Sequence, residues 1–483
     1  MLFSLLKARL HIATTIVFAA IIVNLPTASS LIVTPSLILK PSSSRAFSST
    51  FVSKRISDHM NKCSALLSAS CCSISDSYDG GNIEHLRTEG TTVYLNIKSD
   101  PIGEFEQRKH RQYFSFRSTL APAAATAPSI TFVIENAKDC SFPTAWPGTT
   151  VFVSSDFQTW KRVLTTIYKD GQLIWSFDYS IANSNVVYFC YFPPYSYERH
   201  LKLLSQCSMA GATVQSLGHT LEGREIDCIT IGNGPRIAWI IARQHPGETM
   251  AEYFAEGLLL RLLEGSDAAR ELFTFHIVPN MCPDGSVRGH IRTNSSGANL
   301  NREWCSTGNY TAPTLERSPE VYHVLNEMIQ TGVDVFVDVH GDEELPFNFI
   351  VGNQGLLSWD DRLESLHGAF LGAYCRANSD MQKQIAYPPP PKASGRANLS
   401  LASKQIGQRF GCLAVTLEMP FKDCLTNPDP IRGWTPERSS QLGSSLVDAL
   451  VYVHPYLRAD GVDANTFPSE DDYYVHPTCK YER

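Results

Sequence analysis

The sequence predicts an α/β protein in which a mixed-sheet domain follows an antiparallel β-sandwich domain. Short segments rich in Val, Thr, Phe and Tyr follow one another from about Thr91 to Phe192, as the strands of a sandwich do. From about Gly218, apolar runs alternate with segments of helical periodicity, which indicates an α/β architecture. Histidines and carboxylates follow several of these runs, where open α/β sheets place their ligand-binding residues.

Residues 1–60 are predicted to be a targeting segment that is disordered or removed. No acidic residue precedes Asp58, and small residues follow the apolar run from Ile12 to Leu25, as in a signal peptide. The run is shorter than the roughly 20 residues of a membrane span. The acid-free stretch PSSSRAFSSTFVSKR resembles a transit peptide. We expect delivery to an organelle (a plastid or mitochondrion) or by the secretory route, and no stable membrane span in the mature chain. Plain secretion and a single membrane anchor are the alternatives.

The predicted sandwich domain covers residues 75–200. Turn signals such as Lys169-Asp170-Gly171 separate its apolar segments, which suits short strands joined by tight turns. The predicted strands are TTVYLNIKSD, QYFSFRSTL, SITFVIENA, TTVFVSSD, QLIWSFDYS and NVVYFCYF.

The predicted α/β domain covers residues 201–458. Its first clear strand, RIAWIIA (236–242), is almost continuously apolar, as a strand buried on both faces should be. The following segment 251–265 has apolar residues at helical spacing. Further strands are FTFHIVP, VDVFVDVH, FNFIVGN and CLAVTLEM, with helices VYHVLNEMIQ and LESLHGAFLGAYC between them. A mostly parallel or mixed sheet is expected. The acidic, aromatic tail 459–483 carries no predicted chemistry.

The composition is that of a globular protein with a substantial core, with 43% apolar and 18% charged residues. A net charge of −7 argues against a nucleic-acid partner, because phosphate-binding surfaces are usually basic. The thirteen cysteines follow no pattern, and most stand alone in apolar runs, such as Cys190 and Cys412. We therefore expect buried free thiols and no disulfide framework.

Three residues are candidate metal ligands. His245 and Glu248 lie in RQHPGET, directly after the strand RIAWIIA, and Pro-Gly between them indicates a turn. His340 ends the apolar strand VDVFVDVH. Zinc favours imidazole and carboxylate ligands, with three from the protein in a catalytic site. Each residue alone is equally compatible with an ordinary hydrogen-bonded role, but their common position at strand ends favours a metal. Asp338 shares the face of His340 and is either a partner of that histidine or a solvated carboxylate.

Two further features carry chemistry. The segment 281–304, MCPDGSVRGHIRTNSSGANLNREW, concentrates arginines and asparagines, which suits either a carboxylate-binding surface or a solvated loop. Glu418 follows the strand CLAVTL and is either exposed or a general base facing a pocket.

Taken together, the motifs resemble those of zinc metallocarboxypeptidases, and most of all the cytosolic carboxypeptidase subfamily, which includes protein deglutamylases. HPGE, PDG, GxxRxNxxGxNLNRxW, DVHGD and TLEMPF occur in that family's order. YFPPYSYERHLKLL (191–204) resembles the subfamily's domain junction. The resemblance covers about residues 90–455. It implies a zinc carboxypeptidase domain that removes C-terminal residues, glutamate among them, from peptides or proteins.

The resemblance also implies the roles of individual residues. His245, Glu248 and His340 would hold one Zn²⁺ per chain, and Glu418 would be the general base. A second set would act on the substrate: Arg292 on the oxyanion at the scissile carbonyl, and Asn301 and Arg302 on the terminal carboxylate.

This chain departs from the family pattern in two places. Asn299 stands where the family usually has an aspartate that orients a zinc histidine, so metal affinity is expected to differ. The segment PKASGRANLSLASKQIGQRF contains no counterpart of the loop tyrosine of digestive carboxypeptidases. Its basic residues Arg396, Lys404 and Arg409 either pair with an acidic substrate side chain or face solvent.

Two alternative functions are compatible with the sequence. A zinc-dependent deacylase or amidase would act on N-acyl amino acids, which also present a carboxylate beside an amide. A non-catalytic pseudoenzyme would use the cleft or the sandwich only for binding. A separate observation bears on localisation. Asn294 lies in an N-glycosylation acceptor sequence two residues from Arg292, and a glycan there would obstruct the site. This disfavours prolonged residence in a glycosylating compartment.

Overall fold

The computed structural model describes residues 71–104, 107–121, 129–264, 268–306 and 311–458. The predicted targeting segment and the tail 459–483 lie outside the described residues. Within the described part of the chain, no helix has the length and apolar character needed to cross a membrane.

Ten short strands form two five-stranded sheets in the N-terminal domain, with an aromatic core between them. In spatial order, the first sheet contains β1 (Cys72–Ser75), β4 (Ser115–Leu120), β10 (Val186–Cys190), β6 (Val151–Ser154) and β7 (Lys161–Val163). The second contains β2 (Glu84–Glu89), β3 (Thr92–Asn96), β5 (Ser129–Ile134), β9 (Gln172–Asp178) and β8 (Ile167–Lys169). The antiparallel sandwich is confirmed, with one departure: β3 and β5 run parallel.

The sandwich core follows from the alternation along its strands. In β9, Leu173, Trp175 and Phe177 are buried while their neighbours are more exposed, as the period of two along a strand requires. Phe132 of the second sheet meets Phe189 of the first with ring centroids 4.8 Å apart. These aromatic contacts join the two sheets.

The C-terminal domain is built on a seven-stranded mixed sheet, as predicted. In spatial order its strands are β11 (Thr213–His219), β12 (Glu225–Ile231), β14 (Phe273–Val278), β13 (Arg236–Ala242), β15 (Val335–Asp342), β17 (Leu413–Pro420) and β16 (Phe349–Val351). The four strands β14, β13, β15 and β17 are parallel. Strands β12 and β16 are antiparallel to them, and the edge strand β11 is antiparallel to β12.

The helices of this domain cover the sheet and connect its strands. They are α1 (Tyr197–Met209), α2 (Met250–Leu263), α3 (Ala269–Leu272), α4 (Pro283–Arg288), α5 (Pro319–Thr331), α6 (Asp361–Ala377), α7 (Ala402–Phe410) and α8 (Pro436–Val453). The predicted helices at 251–265, VYHVLNEMIQ and LESLHGAFLGAYC correspond to α2, α5 and α6.

The order of the central strands positions the site. After β13 the chain adds β14 on one side of it and β15 on the other, so β13 lies at a switch in strand order, where open α/β sheets bind ligands. The carboxyl ends of β13, β15 and β17 meet at this edge. All eight residues of β15 and of β17 are buried, which holds the ends of these two strands within the core.

Eleven of the thirteen cysteines lie in the described residues, and no disulfide joins any two of these eleven. Ten are buried, and only Cys305 is partly exposed. This agrees with the expectation of buried thiols.

One arginine links the two domains close to the site. Arg162 of β7 donates from Nη2 to the carbonyl oxygens of Phe421 (2.9 Å) and Trp434 (3.0 Å). Its guanidinium also stacks on Phe152, 3.7 Å from the ring centroid. Tyr191 of the N-terminal domain stacks on Phe421 with centroids 4.6 Å apart. The segment that follows Glu418 is therefore held by the sandwich.

Helices α2 and α8 approach each other through two glycines. A Cβ atom at Gly443 would lie 2.0 Å from the carbonyl oxygen of Phe254, and one at Gly257 would lie 1.9 Å from that of Ser440. No Cβ fits at either distance, so the crossing requires glycine at both positions.

Gly443→Ala should destabilise the protein by about 2 kcal/mol. The gain in helix propensity, about 1 kcal/mol, is smaller than the cost of separating the two packed helices. Urea unfolding measures the change, and Gln441→Ala, an exposed position of the same helix, is the control. An unchanged free energy of unfolding for Gly443→Ala would contradict the close crossing.

Candidate active site

Two histidines and a glutamate converge at the carboxyl edge of the sheet. His245 and Glu248 lie in the turn between β13 and α2, and His340 lies near the end of β15. One ligand atom from each lies within 4.8 Å of the others. Glu248 bridges the pair, with Oε1 2.6 Å from His245 Nδ1 and Oε2 2.8 Å from His340 Nδ1. All three side chains are buried.

In each imidazole the Nε2 atom, which points away from Glu248, has its own hydrogen-bond acceptor. His245 Nε2 lies 3.0 Å from Asn299 Oδ1, and His340 Nε2 lies 2.9 Å from Asp338 Oδ1. Gln244 Nε2 in turn donates to both oxygens of Asp338, at 2.8 and 2.9 Å. With Nε2 donating in both rings, both Nδ1 lone pairs point toward Glu248. This donor set, two imidazole nitrogens and one carboxylate with oriented rings, fits zinc.

The pKa shifts of the three triad residues follow from their burial and from the charges of neighbouring side chains. Burial is the main cause that lowers the pKa of His245 to about 4, and the nearby charge of Arg292 lowers it further. Burial also acts to lower the pKa of His340, but the carboxylates of Asp338 and Glu248 raise it well above its ordinary value. Burial opposes ionisation of Glu248, yet the two histidines hold the pKa of its carboxyl below the usual range. Glu248 is therefore ionised, as a carboxylate that binds a metal ion must be.

Glu418 lies directly beside the triad. In the pairing of β15 with β17, Glu418 is the partner of His340. Burial raises the pKa of Glu418 well above its ordinary value, and Glu248 and Asp342 raise it further, while His340 opposes them. A cation at the triad would bring a positive charge close to Glu418 and lower this pKa.

Tyr387 is a site residue that the sequence analysis missed. Its hydroxyl donates to a carboxylate oxygen of Asp342. Burial raises the pKa of Tyr387, and Glu418 is the next cause, so the phenol lies near that carboxylate. The predicted absence of a tyrosine in PKASGRANLSLASKQIGQRF is correct, but Tyr387 lies just upstream of that segment. It is the only tyrosine between Tyr374 and Glu418, so a search of that interval for a loop tyrosine would have found it.

The residues expected to contact substrate lie around the triad. Arg292 is partly buried, and its charge affects the pKa of both His245 and Glu343, which places its guanidinium near the metal ligands. Asn301 and Arg302 belong to a 3-10 helix, Leu300–Arg302. Asn301 Oδ1 accepts from the backbone N–H of Ala402 at 2.9 Å. Arg302 is exposed, and its Nη1 donates to the carbonyl of Asn301.

The three basic candidates for the specificity pocket differ in their surroundings. Arg396 and Arg409 are exposed, whereas Lys404 is buried. Lys404 Nζ donates to the carbonyl of Gly352 and to Asn353 Oδ1. Of the three, only Lys404 lies inside the protein.

The Asn294 side chain is fully buried. Its Nδ2 donates to the carbonyl of Arg317 at 2.9 Å, and its Oδ1 accepts from the backbone N–H groups of Ser296 and Ala298, both at 3.0 Å. A glycan on Asn294 is incompatible with this fold, because the nitrogen that would carry it is inside the protein.

Comparison with known families agrees with this fold and site. Residues 74–192 match the cytosolic carboxypeptidase N-terminal domain, and residues 197–424 match the zinc carboxypeptidase domain. The fold and site therefore define a metallocarboxypeptidase, a hydrolase of peptide bonds. The chain belongs to the zinc carboxypeptidase family, with an N-terminal domain of the cytosolic carboxypeptidase type.

Individual relatives extend over most of the chain. An uncharacterized protein of Zymomonas mobilis is 42% identical over 395 residues, which cover 81% of this chain and 98% of that protein. Cytosolic carboxypeptidase 6 of Caenorhabditis elegans is 22% identical over 71% of this chain and 78% of its own length. The structure of a Pseudomonas aeruginosa metallo-carboxypeptidase in complex with (2-guanidinoethylmercapto)succinic acid is 36% identical and has a TM-score of 0.72. It matches 80% of this chain and 100% of that one. The resemblance stated from the motifs is confirmed.

Asp338→Asn should weaken zinc affinity at least about tenfold, because an uncharged amide polarises the His340 ring less than a carboxylate does. Asn299→Asp should increase zinc affinity, because a carboxylate polarises the His245 ring more than the amide does. Competition with a chromogenic chelator measures both affinities, and Asp448→Asn, an exposed position on α8, is the control. Equal affinities for all three variants and the wild type would contradict the role of these contacts.

Proposed function

We propose that this protein is an exopeptidase that removes C-terminal residues, with a preference for glutamate and other acidic residues, and that it binds one Zn²⁺ per chain. The observation that carries the proposal is the placement of Glu418 opposite His340 in the β15–β17 pairing, beside the triad of His245, Glu248 and His340. A buried carboxylate next to a three-ligand metal site with an open position is the arrangement that metal-assisted hydrolysis requires.

Each residue contributes a separate step to the proposed reaction. Zinc, when bound, supplies a Lewis acid that polarises the scissile carbonyl and makes water more acidic. Glu418 takes a proton from the attacking water and passes it to the leaving amine. Arg292 stabilises the negative charge that develops on the carbonyl oxygen. Asn301 and Arg302 bind the terminal carboxylate, so that only the last peptide bond reaches the site.

Lys404 supports the preference for an acidic residue. Ser403 Oγ is 2.8 Å from Thr416 Oγ1, and Thr416 lies two residues before Glu418, on the same face of β17. The start of α7 therefore borders the site. Within the described residues, no carboxylate pairs with the buried ammonium of Lys404. The side-chain carboxylate of an acidic substrate residue would supply the negative charge that pairs with this ammonium.

Glu418→Gln should lower kcat by about a thousandfold or more without loss of zinc, because glutamine cannot accept the proton. Amino-acid release from peptides ending in Glu, Asp, Lys or Phe measures the rate, together with metal content. Glu437→Gln, an exposed position in α8, is the control. Zinc binding without release from any peptide by the wild type would overturn the exopeptidase and direct attention to N-acyl amino acids.

The preference for glutamate should decline at alkaline pH. Burial lowers the pKa of Lys404 from 10.5 to about 8, so its positive charge is present below that pH and is lost as the pH rises through it. The ratio of kcat/KM for Glu-terminated over Phe-terminated peptides should fall about tenfold between pH 7 and pH 9.

Lys404→Met is the matched variant for this profile. It should have a low ratio at every pH, whereas Arg409→Met, at an exposed position of the same helix, should keep the wild-type profile. A wild-type ratio that does not change with pH, or a Lys404→Met enzyme that still prefers glutamate, would exclude Lys404 as the acid-binding residue.

A further inference from the structure

A carboxylate of the N-terminal domain caps the loop that carries Arg292. Asp100, in the segment after β3, is buried. Its Oδ1 accepts from the backbone N–H of Ile291 at 2.9 Å. Its Oδ2 accepts from the backbone N–H groups of Arg292 (2.8 Å) and Thr293 (3.0 Å), and from Thr293 Oγ1 (3.2 Å). Three successive backbone N–H groups of the catalytic domain thus point at one side chain of the sandwich.

Neighbouring contacts hold the same loop from the same side. Asn82 Nδ2 donates to the carbonyl of Gly289 at 2.8 Å. Gly103 and Gly297 touch backbone to backbone, since a Cβ at Gly103 would lie 2.1 Å from the carbonyl oxygen of Gly297. The segment 289–297 is therefore fixed at both ends by the N-terminal domain, with Asp100 at its middle.

We propose that Asp100 is a positioning residue for Arg292, so that the N-terminal domain takes part in catalysis by aligning the oxyanion-binding guanidinium. This inference rests on the role given to Arg292 in the proposed function. Asp100 accepts a hydrogen bond from the backbone N–H of Arg292, so it fixes the main-chain position from which the long Arg292 side chain extends. A preorganised charge stabilises a transition state more than one that must first reorient.

The chemistry of the contact requires a carboxylate. An ionised aspartate only accepts hydrogen bonds, and its two oxygens can serve all four donors. In Asp100→Asn, one oxygen becomes an NH₂ group that faces N–H donors. The loop must then shift or lose bonds. The side-chain hydrogen bonds described for His245, Glu248 and His340 do not involve residues 291–293. The expected defect therefore lies in kcat, and zinc content and KM should change little.

A double-mutant cycle separates positioning from a general structural role. Asp100→Asn should lower kcat at least tenfold in the wild-type background, with KM within threefold and full zinc content. In an Arg292→Gln background, Asp100→Asn should change kcat less than threefold, because the guanidinium that it positions is already absent. An equal loss in both backgrounds, or no loss in the first, would overturn the proposal.

Asp76→Asn is the matched control in the same domain. Asp76 accepts from the backbone N–H of Ile83 at 3.0 Å and pairs with Lys98, both in the N-terminal domain, so its kcat should equal that of the wild type. If Asp100→Asn does not fold, Asp100→Glu enters the same cycle. It keeps the charge but displaces it by one methylene group, and its loss of kcat should likewise disappear with Arg292→Gln.

The outcome also distinguishes this inference from the proposed function. A wild-type enzyme that releases no residue from any peptide overturns both. An active wild type that requires Arg292 but shows an additive cycle overturns the role of Asp100 alone.

Discussion

The parallel pairing of β15 with β17 is the contact on which the site depends. It sets His340 opposite Glu418, in two strands whose residues are all buried. Side chains alternate between the faces of a sheet, so a slip of one residue would turn either side chain away from the other. The apolar residues that precede His340 and Glu418 therefore do more than form a core. Their burial fixes the strand register and thereby the separation of His340, a candidate metal ligand, from Glu418, the proposed base.

The charge balance of the site explains why a cation belongs there. Glu248, Asp338 and Glu418 are buried within one cluster, and removing several carboxylates from water is costly unless positive charge accompanies them. The guanidinium of Arg292 supplies part of it. The raised pKa of Glu418 is the remaining imbalance. A divalent ion held by two imidazoles and one carboxylate would correct it and leave the base ionised.

Much of the architecture could be predicted from sequence patterns, and the exceptions have physical causes. The central strands are long apolar runs, and α2 and α6 show clear helical periodicity. Strand β2 is polar and exposed, and β7 has three residues, too few for alternation to appear. Helix α8 contains four serines and one glycine, residues that favour helices less than alanine does, and its crossing with α2 requires the glycine at 443. The parallel pairing of β3 and β5 leaves no trace in the hydrophobic pattern.

The candidate ligands and the candidate base could be picked out from the sequence because they lie in short motifs at strand ends, and the structure brings them together. Tyr387 was missed because its position depends on how a loop folds back onto Asp342. Asp100 was missed for the same reason, since its partners are 191 to 193 residues away in the chain.

The hydrogen bonds from side chains of the N-terminal domain to the main chain of the peptidase region have an evolutionary consequence. Arg162 binds carbonyl groups after β17, and Asn82 binds one after α4. In both contacts a side chain of the N-terminal domain donates to a main-chain carbonyl of the peptidase region, so residues on the accepting side can diverge while Arg162 and Asn82 keep the attachment. A recombination event that gave the peptidase region a foreign first domain would lose these bonds at once. The two coding segments are therefore expected to be inherited as a single unit, with specificity changing through substitutions around the pocket.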